Sequence, residues 1–296
     1  MRRHPVLLGL LIVVALIVGF ILLVLLFSRL GGKKSAFALG DKIGIVEING
    51  VIMSSQQIID QLIAYREDRG VKAIVLRIDS PGGAVPPSQE IYQEVMKTRK
   101  EKKVVASLGG VAASGGYYIA CGADAIIANP GTLTGSIGVI MQFSNFEGLM
   151  KLIGVKSYTF KSGKHKDLGS PFREPTPADQ EIVMGVIESV YDQFVEVVAE
   201  GRNMDVDTVR KLADGRIFSG RQAMEHGLVD QMGNLQDAIA MAAKMSGIRG
   251  KPNVIYPRKR RNIFDILLGK VVLRLVERMR TFNHQLYYRV PLASSF

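Results

Sequence analysis

The segment Gly109–Gly116 (GGVAASGG) places one serine, Ser114, among small residues, between an apolar β-branched run and a stretch with helical character. A serine at a strand-to-helix turn presents its hydroxyl at a helix N-terminus, where unpaired backbone N–H groups favour negative charge. A nucleophile and part of an oxyanion hole can coincide there. The segment by itself leaves open a second interpretation, in which Ser114 is only a helix N-cap in a glycine-rich turn.

A serine hydroxyl needs a base before it can attack a carbonyl at neutral pH. Two histidines are candidates, His165 and His226, although no GxSxG motif surrounds the serine. The other candidates are three lysines of one short stretch, Lys161, Lys164 and Lys166. A lysine serves as a base only where desolvation lowers its pKa by several units. Spacing does not choose among the three, and a solvated basic loop is the alternative.

The chemistry predicted for this chain requires neither a metal nor a cofactor. The sequence has one cysteine, Cys121, and four scattered histidines, so no cluster has the spacing of metal ligands. The same cysteine count excludes a disulfide within the chain. We therefore expect catalysis by side chains and backbone amides alone.

Strand-like and helix-like runs alternate in the body of the chain. The predicted elements are strands at 43–48, 72–78, 103–108 and 125–128, and helices at about 58–66, 88–100 and 117–124. This alternation predicts an α/β fold with mainly parallel strands. Two glycine-rich turns, Asp79–Gly83 and Gly109–Gly116, would then project from the same edge of the sheet, where such folds bind ligands.

A long helix is predicted to begin after Thr176, with Pro177 at its first position and Asp179 at its third. Its apolar residues form one stripe as far as about Gly201, which is typical of a packing face. The following residues, 205–247, are predicted to form two or three short helices that are separated by glycine turns.

Both ends of the chain have features typical of membrane contact. The run Val6–Phe27 is uncharged, and as a helix it would be about 33 Å long, enough to cross a bilayer. We interpret it as a retained anchor with the N-terminus in the cytoplasm and the body outside it, the alternative being a signal peptide cleaved near Ala36–Ala38.

Residues 249–296 carry eleven Lys and Arg against two Asp and Glu. Because the chain also has a predicted membrane anchor, this positive charge favours an anionic lipid surface over nucleic acid as the binding partner of the tail.

Five motifs follow one another along the chain. They are Ile78–Gly83 (IDSPGG), Ala112–Tyr118 (AASGGYY), Leu133–Val139 (LTGSIGV), Lys161–Asp167 (KSGKHKD), and Gly215–Ala223 (GRIFSGRQA) leading into Gly227–Asp230 (GLVD). Their order resembles the signal peptide peptidase A family in its short, single-domain form. The resemblance implies membrane-anchored Ser/Lys proteases that form ring-like homo-oligomers. It also implies repeated β-β-α units similar to those of Clp protease and crotonase subunits, here with an N-terminal transmembrane helix and a C-terminal helical extension. The implied organisation is an anchor and linker at 1–40, a peptidase domain at 41–248 and a basic helix and tail at 249–296.

The resemblance also implies roles for five residues. Ser114 corresponds to the nucleophile, Lys166 to the base and Ser136 to the serine that orients the base. Gly83 and Gly115 would supply the two oxyanion-hole amides.

Together with the predicted anchor, the resemblance implies a membrane-bound serine endopeptidase that degrades cleaved signal peptides and other short hydrophobic peptides. It is expected to lie in the cell membrane as a single-pass protein with an extracytoplasmic catalytic domain. Two alternatives remain: an inactive membrane scaffold with a protease fold, and a crotonase-like acyl-CoA enzyme that uses the same paired amides.

Overall fold

A mainly parallel β-sheet forms the centre of the chain. The computed structural model describes residues 41–256 together with Leu16, Val18 and Gly19. The strands are β1 (Lys42–Asn49), β2 (Val71–Ser80), β3 (Lys103–Ala113), β4 (Ala125–Ala128), β5 (Leu133–Gly135), β6 (Ile217–Ser219), β7 (Gln231–Met232) and β8 (Asn253–Ile255). The helices are α1 (Gln56–Glu67), α2 (Val85–Arg99), α3 (Gly115–Ala120), α4 (Glu147–Leu152), α5 (Pro177–Arg202), α6 (Val206–Leu212), α7 (Gly220–Glu225) and α8 (Leu235–Met245).

The sheet has the strand order β6-β5-β3-β2-β1-β8, and β4 and β7 extend it beside β3. Every strand pair is parallel except β5 with β6, which is antiparallel. The predicted α/β class with mainly parallel strands is therefore confirmed. Strands β6 and β7 have only three and two residues, and they were not predicted because their periodic pattern is too short to detect.

Both faces of the central strands are buried, which explains their continuous apolar runs. On β2, Ile74 and Leu76 face a cluster that includes α1, α2, α3 and the C-terminal part of α5. The alternate residues Ala73 and Val75 face a second cluster that includes α8. Because side chains alternate along a strand, this two-sided packing fixes the strand register.

The predicted glycine-rich turn at Gly109–Gly116 is wrong in its extent, since β3 continues through Gly109 and Gly110 to Ala113. The register of β2 against β3 shifts beyond Ile78, and the Val111 amide donates to Asp79 Oδ1 over 3.0 Å. A Cβ at Gly109 would lie 2.9 Å from the Asp79 side chain. The glycine thus permits close approach of the two strands, and the sharp turn falls at Ser114.

Helix α5 begins as predicted, with a reciprocal capping box between Thr176 and Asp179, and it ends at Arg202. Its apolar stripe differs from the predicted packing face. Phe194, Val195 and Val198 are buried, whereas Ile182, Val186 and their neighbours in the first half are exposed. Only the second half of the helix therefore packs on the core.

Most of the predicted anchor Val6–Phe27 and all of the predicted helix in the basic tail lie outside the described residues. Within the residues that the structure does describe, no helix combines the length and apolar character needed to span a bilayer.

Candidate active site

Ser114 stands at the sharpest point of the chain between a strand and a helix. It follows the last residue of β3 and precedes α3, with φ 52° and ψ −121°. L-residues other than glycine rarely adopt a positive φ, and this strain tends to mark functional positions. The Ser114 side chain makes no capping hydrogen bond to α3. The strained backbone therefore presents the hydroxyl without engaging it in the N-cap role that the sequence left open.

The turn after β2 meets the start of α3 at very short range. Gly82 has φ 100°, and a Cβ there would lie 2.8 Å from the Gly115 amide nitrogen and 2.9 Å from Ser114 Cβ. A Cβ on Gly83 would collide with the backbone of Ile52, to which Gly83 is bridged. Only glycine fits at these two positions, because any side chain would push the two turns apart.

Two backbone amides remain available beside Ser114. Among residues 41–256, neither the Gly83 N–H nor the Gly115 N–H donates a hydrogen bond to a protein acceptor. The Gly83 nitrogen is 3.4 Å from the position that a Cβ on Gly115 would take. Two unpaired donors that open into one space next to a hydroxyl have the arrangement of an oxyanion hole.

Ser136 adjoins Ser114 through the pairing of β3 with β5. Ala113 pairs with Gly135, so the two serines follow directly from paired residues. Ser136 also has a positive φ, 50°, and its amide donates to the Arg216 carbonyl over 2.8 Å. The structure thus brings together Ser114, Ser136, Gly83 and Gly115, four of the five residues that the resemblance selects.

A small pocket of about 30 Å³ opens beside Ser114. Its walls come from the two glycine turns, α2, α3 and the middle of α5. The lining residues are Gly83, Val85, Ser88, Gln89, Ser114, Gly115, Tyr118, Gly138, Val139, Val190 and Phe194. The apolar part of this lining suits an uncharged side chain.

The candidate lysines lie on an exposed turn that precedes α5. Lys161 Nζ is 2.6 Å from Asp167 Oδ1 and also donates to the Lys164 carbonyl over 2.9 Å. Lys161 is therefore committed to an ion pair. The side chain of Lys166 is exposed, and neither Lys164 Nζ nor Lys166 Nζ has a hydrogen-bond partner among the described residues.

Neither histidine reaches a serine of the site. His165 Nδ1 lies 3.9 Å from Asp179 Oδ1 at the start of α5. His226 packs edge-to-face on Phe218 with ring centroids 5.3 Å apart. In the part of the chain that the structure describes, no hydrogen bond joins either imidazole to Ser114 or Ser136.

Lys166 lies near the start of α5, whereas Ser114 lies near the middle of the same helix. The lysine follows His165, which lies beside Asp179, whereas the pocket at Ser114 is lined by Val190 and Phe194. Asp179 and Val190 are separated by about 17 Å of helix. Within one chain the structure shows no hydrogen bond between the two candidate residues in the range 41–256.

Two residues that contribute to this region were not predicted from the sequence. Ser88 is buried, and its Oγ would lie 2.5 Å from a Cβ on Gly115, so it packs directly against one oxyanion amide. Arg173 links Asp167 to Asp179 on the lysine turn. Ser88 lies in the predicted helix as an ordinary polar residue, and Arg173 is one of many basic residues. No local signal distinguishes either one.

Two family models and several known proteins match this chain. The model for peptidase family S49 matches residues 96–249, and the model for Clp protease matches residues 42–132. The chain is 46% identical over 208 residues to a protein named as a protease in Synechocystis sp., covering 70% of this chain and 75% of that one. It is 42% identical over 212 residues to a protein that carries the name signal peptide peptidase SppA in Enterococcus faecium, covering 67% and 62%.

A third relative is considerably longer than this chain. Protease 4 of Haemophilus influenzae is 35% identical over 230 residues, which cover 74% of this chain and 37% of that protein. The S49 match covers more than half of the present sequence and contains Ser114, Ser136 and Lys166. Together these matches show that the chain belongs to peptidase family S49, a family of serine peptidases.

Proposed function

We propose that this chain is a serine endopeptidase in which Ser114 is the nucleophile. One observation carries the proposal: a strained serine at the start of a helix lies next to two glycine amides that donate to no protein acceptor among residues 41–256. The Ser114 hydroxyl attacks a peptide carbonyl, and the amides of Gly83 and Gly115 stabilise the resulting oxyanion. Membership in family S49 supports peptide hydrolysis over the other reactions that paired amides can catalyse.

Lys166 is the proposed base. As a neutral amine it takes the proton of the Ser114 hydroxyl and then donates it to the leaving amine as the peptide bond breaks. Water then hydrolyses the acyl-enzyme with the same lysine as base, which releases the second product and restores the hydroxyl. Ser136 orients the amine by a hydrogen bond. Its place next to Ser114 across the β3–β5 pairing supports this role.

The base needs a dry environment, which the exposed turn of an isolated chain does not provide. We propose that a neighbouring copy supplies it, so that Lys166 of one protomer meets Ser114 of another in a ring-like homo-oligomer. The exposed apolar surface near the lysine turn supports this arrangement. Ten large apolar or aromatic side chains between Ile140 and Phe160 are exposed, and Phe160 is 97% accessible. A surface of this size normally marks an interaction site.

The proposed substrates are cleaved signal peptides and other short hydrophobic peptides. Ile52 is bridged to Gly83, so its exposed neighbours Val51 and Met53 flank the oxyanion turn with apolar surface. The pocket beside Ser114 adds Val85, Val139 and Val190. The name of the Enterococcus faecium relative supports the same class of substrate. These side chains favour an apolar peptide over a charged one.

The proposed location is the cell membrane, with the anchor at Val6–Phe27 and the catalytic domain outside the cytoplasm. The uncharged run and its length support this proposal. The basic residues of 249–296 would add contacts with anionic lipid.

Labelling and cleavage together test the proposed function. The full-length protein is incubated with a fluorophosphonate probe and, separately, with a synthetic signal peptide, and both reactions are analysed by mass spectrometry. We expect the probe on Ser114 and internal cleavage of the peptide. Absence of both would favour the inactive scaffold, and binding of acyl-CoA without peptide cleavage would favour a crotonase-like enzyme.

A further inference from the structure

Arg173 holds two carboxylates on the turn that carries the candidate base. Its Nε and Nη2 donate to the two oxygens of Asp167, each over 3.0 Å, in a bidentate arrangement. Its Nη1 donates to Asp179 Oδ2 over 2.6 Å and to the Glu174 carbonyl over 2.9 Å. A planar guanidinium can satisfy this set of acceptors, whereas an ammonium group has no such fork.

These contacts hold the backbone directly after Lys166. Asp167, the next residue, is bound by its carboxylate and also by its carbonyl, which accepts from Arg173 Nη2 over 3.3 Å. On the other side, His165 lies against Asp179. The Lys166 amide itself donates to the Gly163 carbonyl over 3.2 Å within the turn. The lysine side chain therefore extends from a turn that Arg173 holds at Asp167, and its amine has no hydrogen-bond partner among residues 41–256.

The N-terminus of α5 is the rigid element to which Arg173 ties the lysine turn. Asp179 is 4% exposed and accepts from both the amide and the hydroxyl of Thr176, each over 2.9 Å. The hydrogen bond from Arg173 holds the pKa of Asp179 and of Asp167 well below the usual range of a carboxyl. Lys161 adds to this effect at Asp167. The other titratable groups of the turn are Lys164, His165, Lys166 and Glu174. Both carboxylates remain charged at neutral pH and keep Arg173 bound.

We propose that Arg173 is a positioning residue, which fixes the turn of Lys166 on helix α5 so that the amine enters the active site in a defined place. This inference rests on the proposed function, because positioning matters only if Lys166 is the base. The guanidinium acts through Asp167 and does not contact the substrate. Its loss releases the lysine turn, while the second half of α5 stays packed on the core through Phe194 and Val198.

The test compares Arg173→Gln, Arg173→Lys and Asp167→Asn with the wild-type protein. The matched control is Arg210→Gln, which removes another arginine that bonds to an aspartate of α5, Asp192, over 2.9 Å. The measurements are kcat and KM for a synthetic signal peptide, the pH profile of kcat/KM, and the melting temperature.

We expect Arg173→Gln to lower kcat about 100-fold with little change in KM, because a small misplacement of a catalytic group has an effect of this order. The acid limb of the pH profile should move to higher pH, because water around a displaced amine favours its protonated form. Asp167→Asn should act in the same direction, Arg173→Lys should not restore activity, and Arg210→Gln should behave as wild type.

Two results would overturn the inference while leaving the proposed function in place. One is a wild-type kcat and pH profile in folded Arg173→Gln, together with an inactive Lys166→Ala variant. The other is a loss of activity that follows only the loss of folded protein, with an unmoved pH profile. Failure of the proposed function gives a different result, in which Ser114→Ala or Lys166→Ala remains active.

Discussion

Ser114 and Ser136 are neighbours because Ala113 and Gly135, the residues that precede them, are paired in parallel strands. The Ser114 amide donates to the Gly135 carbonyl over 2.8 Å, and the two serines have φ values of 52° and 50°. Asn203 is the one other residue apart from glycine with a positive φ in the part of the chain that the structure describes. Each such conformation costs about 1–3 kcal/mol, so the strain is concentrated at the candidate site.

Replacement of Ser114 should separate activity from stability. Ser114→Ala should lower peptidase activity at least about 10⁴-fold without loss of fold, because the side chain makes no capping bond. Ser114→Gly should be equally inactive but more stable by about 1 kcal/mol, since glycine tolerates a positive φ. Urea denaturation measures the difference. Asn203→Gly is the control and should gain less, because asparagine tolerates its left-handed conformation, and an unchanged stability of Ser114→Gly would contradict the strain argument.

Lys166→Ala should abolish peptide cleavage, whereas Lys164→Ala should retain it. If the base acts across protomers, a mixture of inactive Ser114→Ala and inactive Lys166→Ala chains should recover activity after they are dissociated and reassembled together. Peptide cleavage by the mixed sample measures the recovery. No recovery in a mixed assembly would exclude a site that is shared between chains, and full activity of Lys166→Ala would assign the base to another residue.

Ser136→Ala should lower kcat by about 10–100-fold and leave KM nearly unchanged, because its hydroxyl orients the base and does not bind substrate. Steady-state kinetics test both expectations. A wild-type kcat in folded Ser136→Ala would remove Ser136 from the mechanism. Thr134→Ser is a suitable control, because this buried hydroxyl bonds to the Ala112 carbonyl away from the turn.

The position of the Gly115 amide, and with it the activity, should depend on the absence of a side chain at residue 115. Gly115→Ala places a methyl group 2.5 Å from Ser88 Oγ, so the turn must shift and the oxyanion amide with it. We expect a loss of about 100-fold in kcat/KM. The double variant Gly115→Ala, Ser88→Ala should recover part of the loss, because the crowding hydroxyl is gone. Ser88→Ala alone should stay close to wild type, and absence of any recovery would show that crowding by Ser88 is not the cause.

Acid should loosen the lysine turn. Arg173 lowers the pKa of Asp167 and Asp179, so their charged forms stabilise the folded turn above the ordinary carboxyl pKa of about 3.9. This stabilisation is lost as the pH falls below that value and protons bind. Hydrogen exchange of residues 161–179, corrected for its intrinsic pH dependence, should show falling protection below about pH 4.

The same titration distinguishes the effect of the Arg173 ion pairs from a general effect of acid. In Arg173→Gln the protection of residues 161–179 should already be low at neutral pH and should change little on acidification. Asp214, whose pKa is lowered to about 2 by Arg216, provides the comparison. Asp214→Asn should leave the acid response of the lysine turn unchanged, and a flattened response in that variant would contradict the assignment to Arg173.

The local patterns of the sequence were sufficient for the fold class and for several boundaries. The buried runs of β2 and β3 are apolar because both faces of the sheet are covered, and this pattern is visible without a structure. The capping box of Thr176 and Asp179 is likewise local, so the start of α5 was predicted correctly. The extent of β3 was not, because glycines at 109 and 110 indicate a turn locally but here serve close strand packing against Asp79.

The five motifs of the sequence selected Ser114, Ser136, Gly83 and Gly115 one at a time, and their residue types carry the chemistry. Only the tertiary structure decided that these four lie close together at one edge of the sheet, because the pairing of strands that are far apart in the sequence brings them there. It also decided that Lys166 stands on an exposed turn held by Arg173, because ion pairs between residues six apart in an irregular turn follow neither the helix period nor the strand period. Side-chain types and short spacings are local properties of a sequence, whereas burial and the direction of approach depend on what the rest of the fold places beside them.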